Sequence, residues 1–273
     1  MKTISSVNNS TIKAITGLIQ KASLRKKSDV FVVEGKRELQ LAYKGGFTID
    51  TVFCCPTLFE STTVETWSAQ NLGTKNIILV TEDVYKKISY RNKTEGIIAL
   101  VKKKAFDLDS IVFKNANPLI LVIENIEKPG NIGAMLRTAD ASNIDCLLVA
   151  EPKTDIYNPN VIRSSVGGFF TVPIGVASNE DIIEFLKQNQ IATYAASLQK
   201  SISYEKIDFS GPTAVIVGTE AIGLSEFWTR KSKSNIKIPM LGTLDSMNVS
   251  VAAAILLFEA TRQRDFYRDI KGI

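Results

Sequence analysis

Beyond residue 118 the chain alternates short, unbroken apolar runs with helical patterns, and this alternation restricts the fold more than any other feature of the sequence. Residues 119–123, 146–150, 171–175, 191–195, 214–217 and 236–238 read as strands, and residues 132–141, 160–167, 181–188, 225–231 and about 248–267 read as helices. Strands that are apolar at every position are buried on both faces, and strands separated by helices pair in parallel. The expectation is an α/β domain with a parallel sheet covered on both sides. Neither an internal repeat nor a low-complexity tract interrupts the pattern.

The preceding stretch is less regular. Residues 5–27 read as one helix, capped by Asn8 or Ser10, with Ile12, Ile15, Ile19 and Ala22 at helical spacing and Gly17 inside the pattern. Residues 30–33 read as a strand, 36–43 as a helix stopped by Gly45-Gly46, and 51–55, 77–80 and 96–101 as further strands. The lysine run 102–104 and the polar stretch up to Pro118 read as a linker, which sets domains of 1–107 and 108–273. A chain of 273 residues can bury two such cores without disulfides or metal.

Charge separates the same two parts. Residues 1–104 hold 17 Lys and Arg against 9 Asp and Glu, whereas residues 105–273 hold 16 against 19. A basic excess confined to one end fits a phosphate-contacting domain beside a neutral one; solvated surface lysine fits equally well on composition alone.

Several classes of chemistry are excluded. The chain has no histidine, so no histidine base, histidine metal ligand or Ser-His-Asp triad exists. The three cysteines are Cys54, Cys55 and Cys146, with no CxxC spacing, so no zinc site or disulfide framework is expected, and no metal. No apolar leader is read at the N-terminus, and the longest apolar stretch, 249–258, is too short to span a bilayer. A cytoplasmic protein without a membrane partner is expected. There is no GxGxxG after the first strand of the α/β part and no GxxxxGK[ST]; Gly35-Lys36 runs into Arg37 and lacks the upstream glycine.

α/β domains bind ligands at the carboxyl ends of their strands, and three such junctions stand out. The first runs from Glu124 through Pro129-Gly130-Asn131-Ile132-Gly133 to Arg137, with Asn131 near a helix cap and Arg137 among apolar neighbours, which implies a partner for a buried guanidinium. In the second, Val217-Gly218-Thr219-Glu220-Ala221-Ile222-Gly223-Leu224, two glycines flank an acid. The third, Ile238-Pro239-Met240-Leu241, leads through Ser246-Met247-Asn248-Val249-Ser250 into a very apolar helix. Ser246 and Asn248 serve as caps or as polar groups of a site.

In this order and spacing the three junctions resemble the SpoU (TrmH-like) branch of the SPOUT RNA 2′-O-ribose methyltransferases. Asn131, Gly133 and Arg137 match the family's first motif, Gly218, Glu220, Gly223 and Leu224 its second, and Ile238-Pro239-Met240 with Ser246-Met247-Asn248-Val249-Ser250 its third. Met247 replaces the usual Leu, a volume-conserving change, and Ala221 stands where the family often has Gly. Upstream, Ser10-Thr11-Ile12-Lys13 and Phe31-Val32-Val33-Glu34-Gly35 look like the small substrate-binding domain, similar to ribosomal protein L30e, found in many members.

The resemblance implies a SPOUT domain with a parallel sheet and deep trefoil knot, preceded by an L30e-like α/β domain. It implies methyl transfer from S-adenosylmethionine to a ribose 2′-hydroxyl of structured RNA, ribosomal rather than transfer RNA, by a homodimer. It places the cofactor against Gly218, Gly223, Ile238, Leu241 and Met247. Arg137 takes the part of base or phosphate clamp, the second being physically preferred because arginine stays protonated, and Asn131, Glu220, Ser246 and Asn248 organise the site. RNA contacts fall to Arg25, Lys26, Lys27, Lys36 and Arg37. The rival readings are a transfer-RNA enzyme, a noncatalytic RNA-binding protein of this fold, a nicotinamide enzyme lacking its glycine fingerprint, and a base-methylating relative.

Overall fold

The computed structural model describes residues 1–59, 63–90, 95–219 and 222–264. Contacts divide the chain into two compact units: Met1–Ala105 with Asp155–Thr171, and Phe106–Thr154 with Val172–Ile273. The return of Asp155–Thr171 to the first unit departs from the sequence reading, which left that segment in the second domain.

The first unit begins with β1 (Lys2–Ile4), α1 (Ser10–Gln20), α2 (Ala22–Lys27), β2 (Val30–Glu34) and α3 (Lys36–Lys44). It continues through β3 (Ile49–Cys54), α4 (Val64–Leu72), β4 (Ile77–Val80), α5 (Glu82–Ile88) and β5 (Ile97–Lys102). The five strands form one sheet in the order β1-β4-β3-β5-β2, parallel at the first two pairings and antiparallel at the last two. Ile12 and Ile15 of α1 meet Val84, Tyr85 and Ile88 of α5 and Phe53 and Ile98 of the sheet in one core.

The helix expected over 5–27 is two helices, α1 and α2, preceded by a short strand. β1 pairs with β4, Asn9 rather than Asn8 or Ser10 caps α1 through Thr11 N–H (2.9 Å), and the backbone turns extended at Lys21 before α2. Gly17 lies where α2 folds back: a Cβ there would stand 2.7 Å from Leu24 Cδ1, so a larger residue would require the Leu24 side chain to shift.

The returning segment carries α7 (Pro159–Ser165) and α8 (Gly168–Thr171). Tyr157 and Phe169 join Phe31 and Phe47 in an aromatic cluster with ring centroids 4.7–6.1 Å apart. Tyr157 Oη donates to Lys104 C=O (2.7 Å) and accepts from Lys104 N–H (2.9 Å).

The second unit holds β6 (Leu119–Glu124), α6 (Pro129–Ala141) and β7 (Cys146–Ala150) ahead of that excursion. After it come β8 (Ile174–Ala177), α9 (Asn179–Gln188), β9 (Ala192–Ala196), β10 (Ile202–Ser203), β11 (Thr213–Val217), α10 (Glu226–Lys231), β12 (Ser234–Lys237) and α11 (Val249–Gln263). All seven strands pair in parallel, in the order β10-β12-β9-β11-β6-β7-β8. Every residue of β6, β7 and β11 is buried, as their apolar runs require, including the polar Glu124 and Thr213 at the strand ends. On one face α9 and Trp228 of α10 pack against Ile120, Val122, Leu148 and Ile216; α6 and α11 pack together and cover strands from the other side. The strand expected at 171–175 is shifted, because Thr171 ends α8 and Pro173 delays pairing until Ile174. The helix expected to reach 267 is described to Gln263.

The three cysteines are free and buried. Among the described residues no helix is long and apolar enough to cross a membrane.

Candidate active site

The carboxyl ends of β9, β11 and β12 open into a cavity of about 530 Å³. Its walls come from the loop after β11 (Gly218, Thr219, Ile222, Gly223, Leu224), the end of β12 with the residues just past it (Lys237, Ile238, Met240), the approach to α11 (Asp245, Ser246, Met247) and the β9–β10 loop (Ser197, Leu198, Gln199). Two of the three junctions singled out in the sequence therefore meet in one place, at the strand ends where α/β folds bind ligands.

Backbone geometry makes the β11 loop tight. Thr219 and Gly223 exchange two backbone hydrogen bonds (3.1 and 3.0 Å), and Gly223 turns at φ 76°. A Cβ on Gly218 would stand 2.3 Å from Gly223 O and 2.6 Å from Leu224 N, so Gly218 is required by contact with backbone rather than by its own dihedrals.

Of the residues singled out in the sequence, Gly218, Gly223, Ile238, Ser246 and Met247 line the cavity. Leu241 does not: it is 97% exposed, and Met240, one residue earlier, faces the cavity instead. Glu220 lies outside the described residues. Sequence reasoning missed the β9–β10 loop, although the position of Ser197 just past a central strand was the available signal.

The first junction is tied to the third by a side-chain hydrogen bond. Asn248 caps α11, its Oδ1 accepting from Ser250 N–H (2.9 Å) and Ser250 Oγ (2.6 Å), while its Nδ2 donates to Asn131 Oδ1 (3.2 Å). Asn131 is not a cap, since Lys128 holds that position and Asn131 sits in the first turn of α6. Arg137 is exposed rather than buried. The buried stripe of α6 is Ile132, Met135, Leu136 and Ala139, and Arg137 falls outside that spacing. Among the described residues Arg137 makes no hydrogen bond or ion pair, so its guanidinium is presented to solvent.

In the first unit, the five basic residues assigned to RNA separate. Arg25 is buried; Nε binds Asp155 Oδ2 (2.5 Å) and Nη1 donates to the carbonyls of Leu18 (2.8 Å) and Ile19 (3.1 Å). It is a structural cation and does not face RNA, contrary to the expectation from the sequence. Lys26, Lys27 and Arg37 are exposed, and Lys36 Nζ lies 4.3 Å from the centroid of the Phe59 ring. A pair not seen in the sequence also faces solvent: Tyr90, 46% exposed, lies under the Arg163 guanidinium at 5.5 Å, and Arg163 is oriented by Asn160 Oδ1 (3.1 Å). Among the described residues no group of three or more His, Cys, Asp or Glu is placed to hold a metal ion.

The family model for the SpoU rRNA methylases matches residues 118–258, the whole span from the first strand of the second unit into α11. The chain belongs to the SpoU rRNA methylase family. The model of an MRM3-like substrate-binding domain matches residues 9–99 of this SpoU family member. A 23S rRNA (uridine(2479)-2′-O)-methyltransferase of Streptomyces viridochromogenes is 28% identical over 266 residues, covering 94% of this chain and 91% of its own. A tRNA (guanosine(18)-2′-O)-methyltransferase of Thermus thermophilus is 35% identical over 159 residues, covering 58% of this chain and 81% of its own. The AdoMet-bound crystal structure of an rRNA methyltransferase from Sinorhizobium meliloti is 28% identical, with a TM-score of 0.86 over 96% of this chain and 97% of that one. The match of SpoU family and fold agrees with the motifs and with the parallel α/β sheet.

Proposed function

We propose that this chain is an S-adenosylmethionine-dependent RNA 2′-O-ribose methyltransferase acting on ribosomal RNA. The observation that carries the reading is the cavity: two of the three family motifs wall it, and the third is hydrogen-bonded to its rim through Asn131 and Asn248. Ribosomal RNA is favoured over transfer RNA because the ribosomal relative aligns over nearly all of this chain and the transfer-RNA relative over little more than half.

The residues present fit the cofactor. The cavity has the volume for a nucleoside-sized ligand, its glycine-lined edge at Gly218 and Gly223 allows close backbone approach, and Ile238, Met240, Met247 and Leu224 offer an apolar seat for an adenine. When bound, the sulfonium supplies an activated methyl group, so the protein's work is positioning. Asn131 and Asn248 fix each other's amides at the mouth of α11. Arg137 holds an RNA phosphate and stabilises charge that develops as the 2′-hydroxyl loses its proton; with a protonated guanidinium and no histidine in the chain, it acts as a cation rather than a base.

The first unit holds the RNA. Lys26, Lys27, Lys36 and Arg37, with Tyr90 and Arg163 as an aromatic-guanidinium surface on which a base stacks, supply phosphate and base contacts. The same reading includes a trefoil knot in the carboxyl-terminal segment, supported by family membership and by β12 inserting between β9 and β10 before the chain turns through residues 238–248. It includes a homodimer, supported by Val251 (49% exposed) and Phe258 (40% exposed) seven residues apart on α11, and a cytoplasmic location, supported by the free cysteines.

The test is incubation with tritiated S-adenosylmethionine and 23S ribosomal RNA transcribed in vitro, followed by nucleoside mass spectrometry. A 2′-O-methyl nucleoside is expected, and its loss in Arg137→Ala with cofactor affinity retained. A methylated base, or undiminished transfer by Arg137→Ala, overturns the assignment of reaction or residue respectively.

A further inference from the structure

Glu124 is the last residue of β6 and only 1% exposed. A carboxylate removed from water is costly unless several donors satisfy it. Here three do: Oε2 accepts from Ser225 N–H (2.8 Å), and Oε1 from Ser225 Oγ (2.6 Å) and Asn179 Nδ2 (3.0 Å). Asn179 in turn accepts from Trp228 Nε1 through its Oδ1 (2.7 Å), and Trp228 is fully buried. One carboxylate thus gathers the cap of α10 and the first residue of α9 and, through Asn179, the first turn of α10, with direct partners 55 and 101 residues distant in sequence.

Ser225 directly follows Gly223 and Leu224, which wall the cavity. The upstream end of that wall is held by β11 and by the Thr219–Gly223 bridge. The downstream end is held by Glu124. Nothing in the family motif assigned this residue a task, and it does not line the cavity itself.

We propose that Glu124 is a positioning residue for the cofactor site, fixing Gly223 and Leu224 through Ser225 so that the cavity is preformed before S-adenosylmethionine enters. The inference rests on the cofactor assignment made above. A loop left unlatched must be ordered when the ligand binds, and that ordering is subtracted from affinity.

Asp145 provides the control. It is equally buried (1% exposed) and accepts from Lys114 N–H and Leu119 N–H (2.9 Å each), but it lies just before β7, at the end of the sheet away from the cavity. Full-length Glu124→Gln, Ser225→Ala, their double variant and Asp145→Asn are compared by thermal melting and by calorimetric titration with S-adenosylmethionine. Hydrogen bonds to a charged group are strong enough that Glu124→Gln is expected to weaken the cofactor Kd about ten-fold or more. Asp145→Asn lowers the melting temperature but leaves the Kd within about two-fold, as expected for a site distant from the change. Because Glu124 acts through Ser225, the double variant binds no more weakly than Glu124→Gln. Equal Kd shifts in Glu124→Gln and Asp145→Asn, or a wild-type Kd in Glu124→Gln, overturn the proposal. Should Glu124→Gln not fold, Glu124→Asp, which withdraws the carboxylate from both the Ser225 N–H and Oγ, decides in its place, and a wild-type Kd there refutes the proposal. An unmutated chain that fails to bind S-adenosylmethionine removes the functional reading and this inference together, whereas normal binding with unmoved variants removes only the latch.

Discussion

Replacing Gly218 by alanine adds a single methyl group at the tightest point of the cavity wall. The added Cβ would lie 2.3 Å from Gly223 O, 2.4 Å from Gly223 C and 2.6 Å from Leu224 N. All three are backbone atoms, so no side-chain rotation relieves the clash, and the Gly223–Leu224 segment must retreat by about 1 Å to reach ordinary contact. Overpacking of this kind costs about 1–3 kcal/mol. If the loop absorbs the strain, the wall moves and the cofactor Kd rises by about ten-fold, the equivalent of 1.4 kcal/mol. If β11 absorbs it, the melting temperature falls. Two other glycines supply the comparison. At Gly223 a Cβ meets nothing within 4 Å, but φ is 76°, so alanine there costs only the left-handed backbone penalty of about 1–2 kcal/mol. At Gly242 a Cβ meets open space with no such dihedral, and alanine is neutral. Titration calorimetry and differential scanning calorimetry on the three variants should rank them Gly218, Gly223, Gly242 in order of damage to cofactor binding. Wild-type affinity and stability in Gly218→Ala, or equal damage from Gly242→Ala, would refute the steric argument.

Arg25→Ala is expected to lower stability by about 2–3 kcal/mol, below the full value for a buried pair because Asp155 is 24% exposed, while RNA affinity per folded molecule is unchanged. Lys26→Ala and Lys27→Ala should do the reverse, leaving the melting temperature alone and reducing the salt dependence of RNA binding by about one counterion each, as read from filter binding across salt concentrations. Val251→Asp combined with Phe258→Asp should convert the proposed dimer to a monomer in sedimentation equilibrium, and an unaltered mass would remove that helix face from the proposed interface. The native thiols should resist a disulfide reagent at pH 8 and react once the chain is denatured, because all three are buried and burial pushes Cys54 up to about 12 from its ordinary 9.0. The proton is held more tightly in the folded state, so this contribution to stability is intact below pH 9 and declines as pH rises from 9 towards 12. Urea midpoints measured on either side of pH 9 check the sign.

The second unit was the more legible part because its central strands are buried on both faces and therefore carry an unbroken apolar signal, while the glycines and Asn248 stand at fixed offsets from them. What escaped notice depends on distant partners. A run such as Leu24-Arg25-Lys26-Lys27 does not disclose which cation turns inward; that is decided by Asp155, 130 residues away. β1 is three residues long and is a strand only because β4 accepts it. Arg137 was misjudged from its apolar neighbours, although the spacing of Ile132, Met135, Leu136 and Ala139 already left it off the buried face. Leu241 and Met240 are adjacent and of similar hydrophobicity, and only the path of the loop decides which of them enters the cavity.

The return of Asp155–Thr171 to the first unit means that the polypeptide passes between the units three times, at Ala105, at Thr154 and at Thr171. A ribosome-bound chain of 105 residues would still lack Tyr157 and Phe169, leaving the rings of Phe31 and Phe47 without their partners. The unit nearest the N-terminus therefore completes itself only after part of the other has been synthesised. Removing it as a module takes three cuts rather than one, and a fragment ending at the linker is expected to be sticky and short-lived.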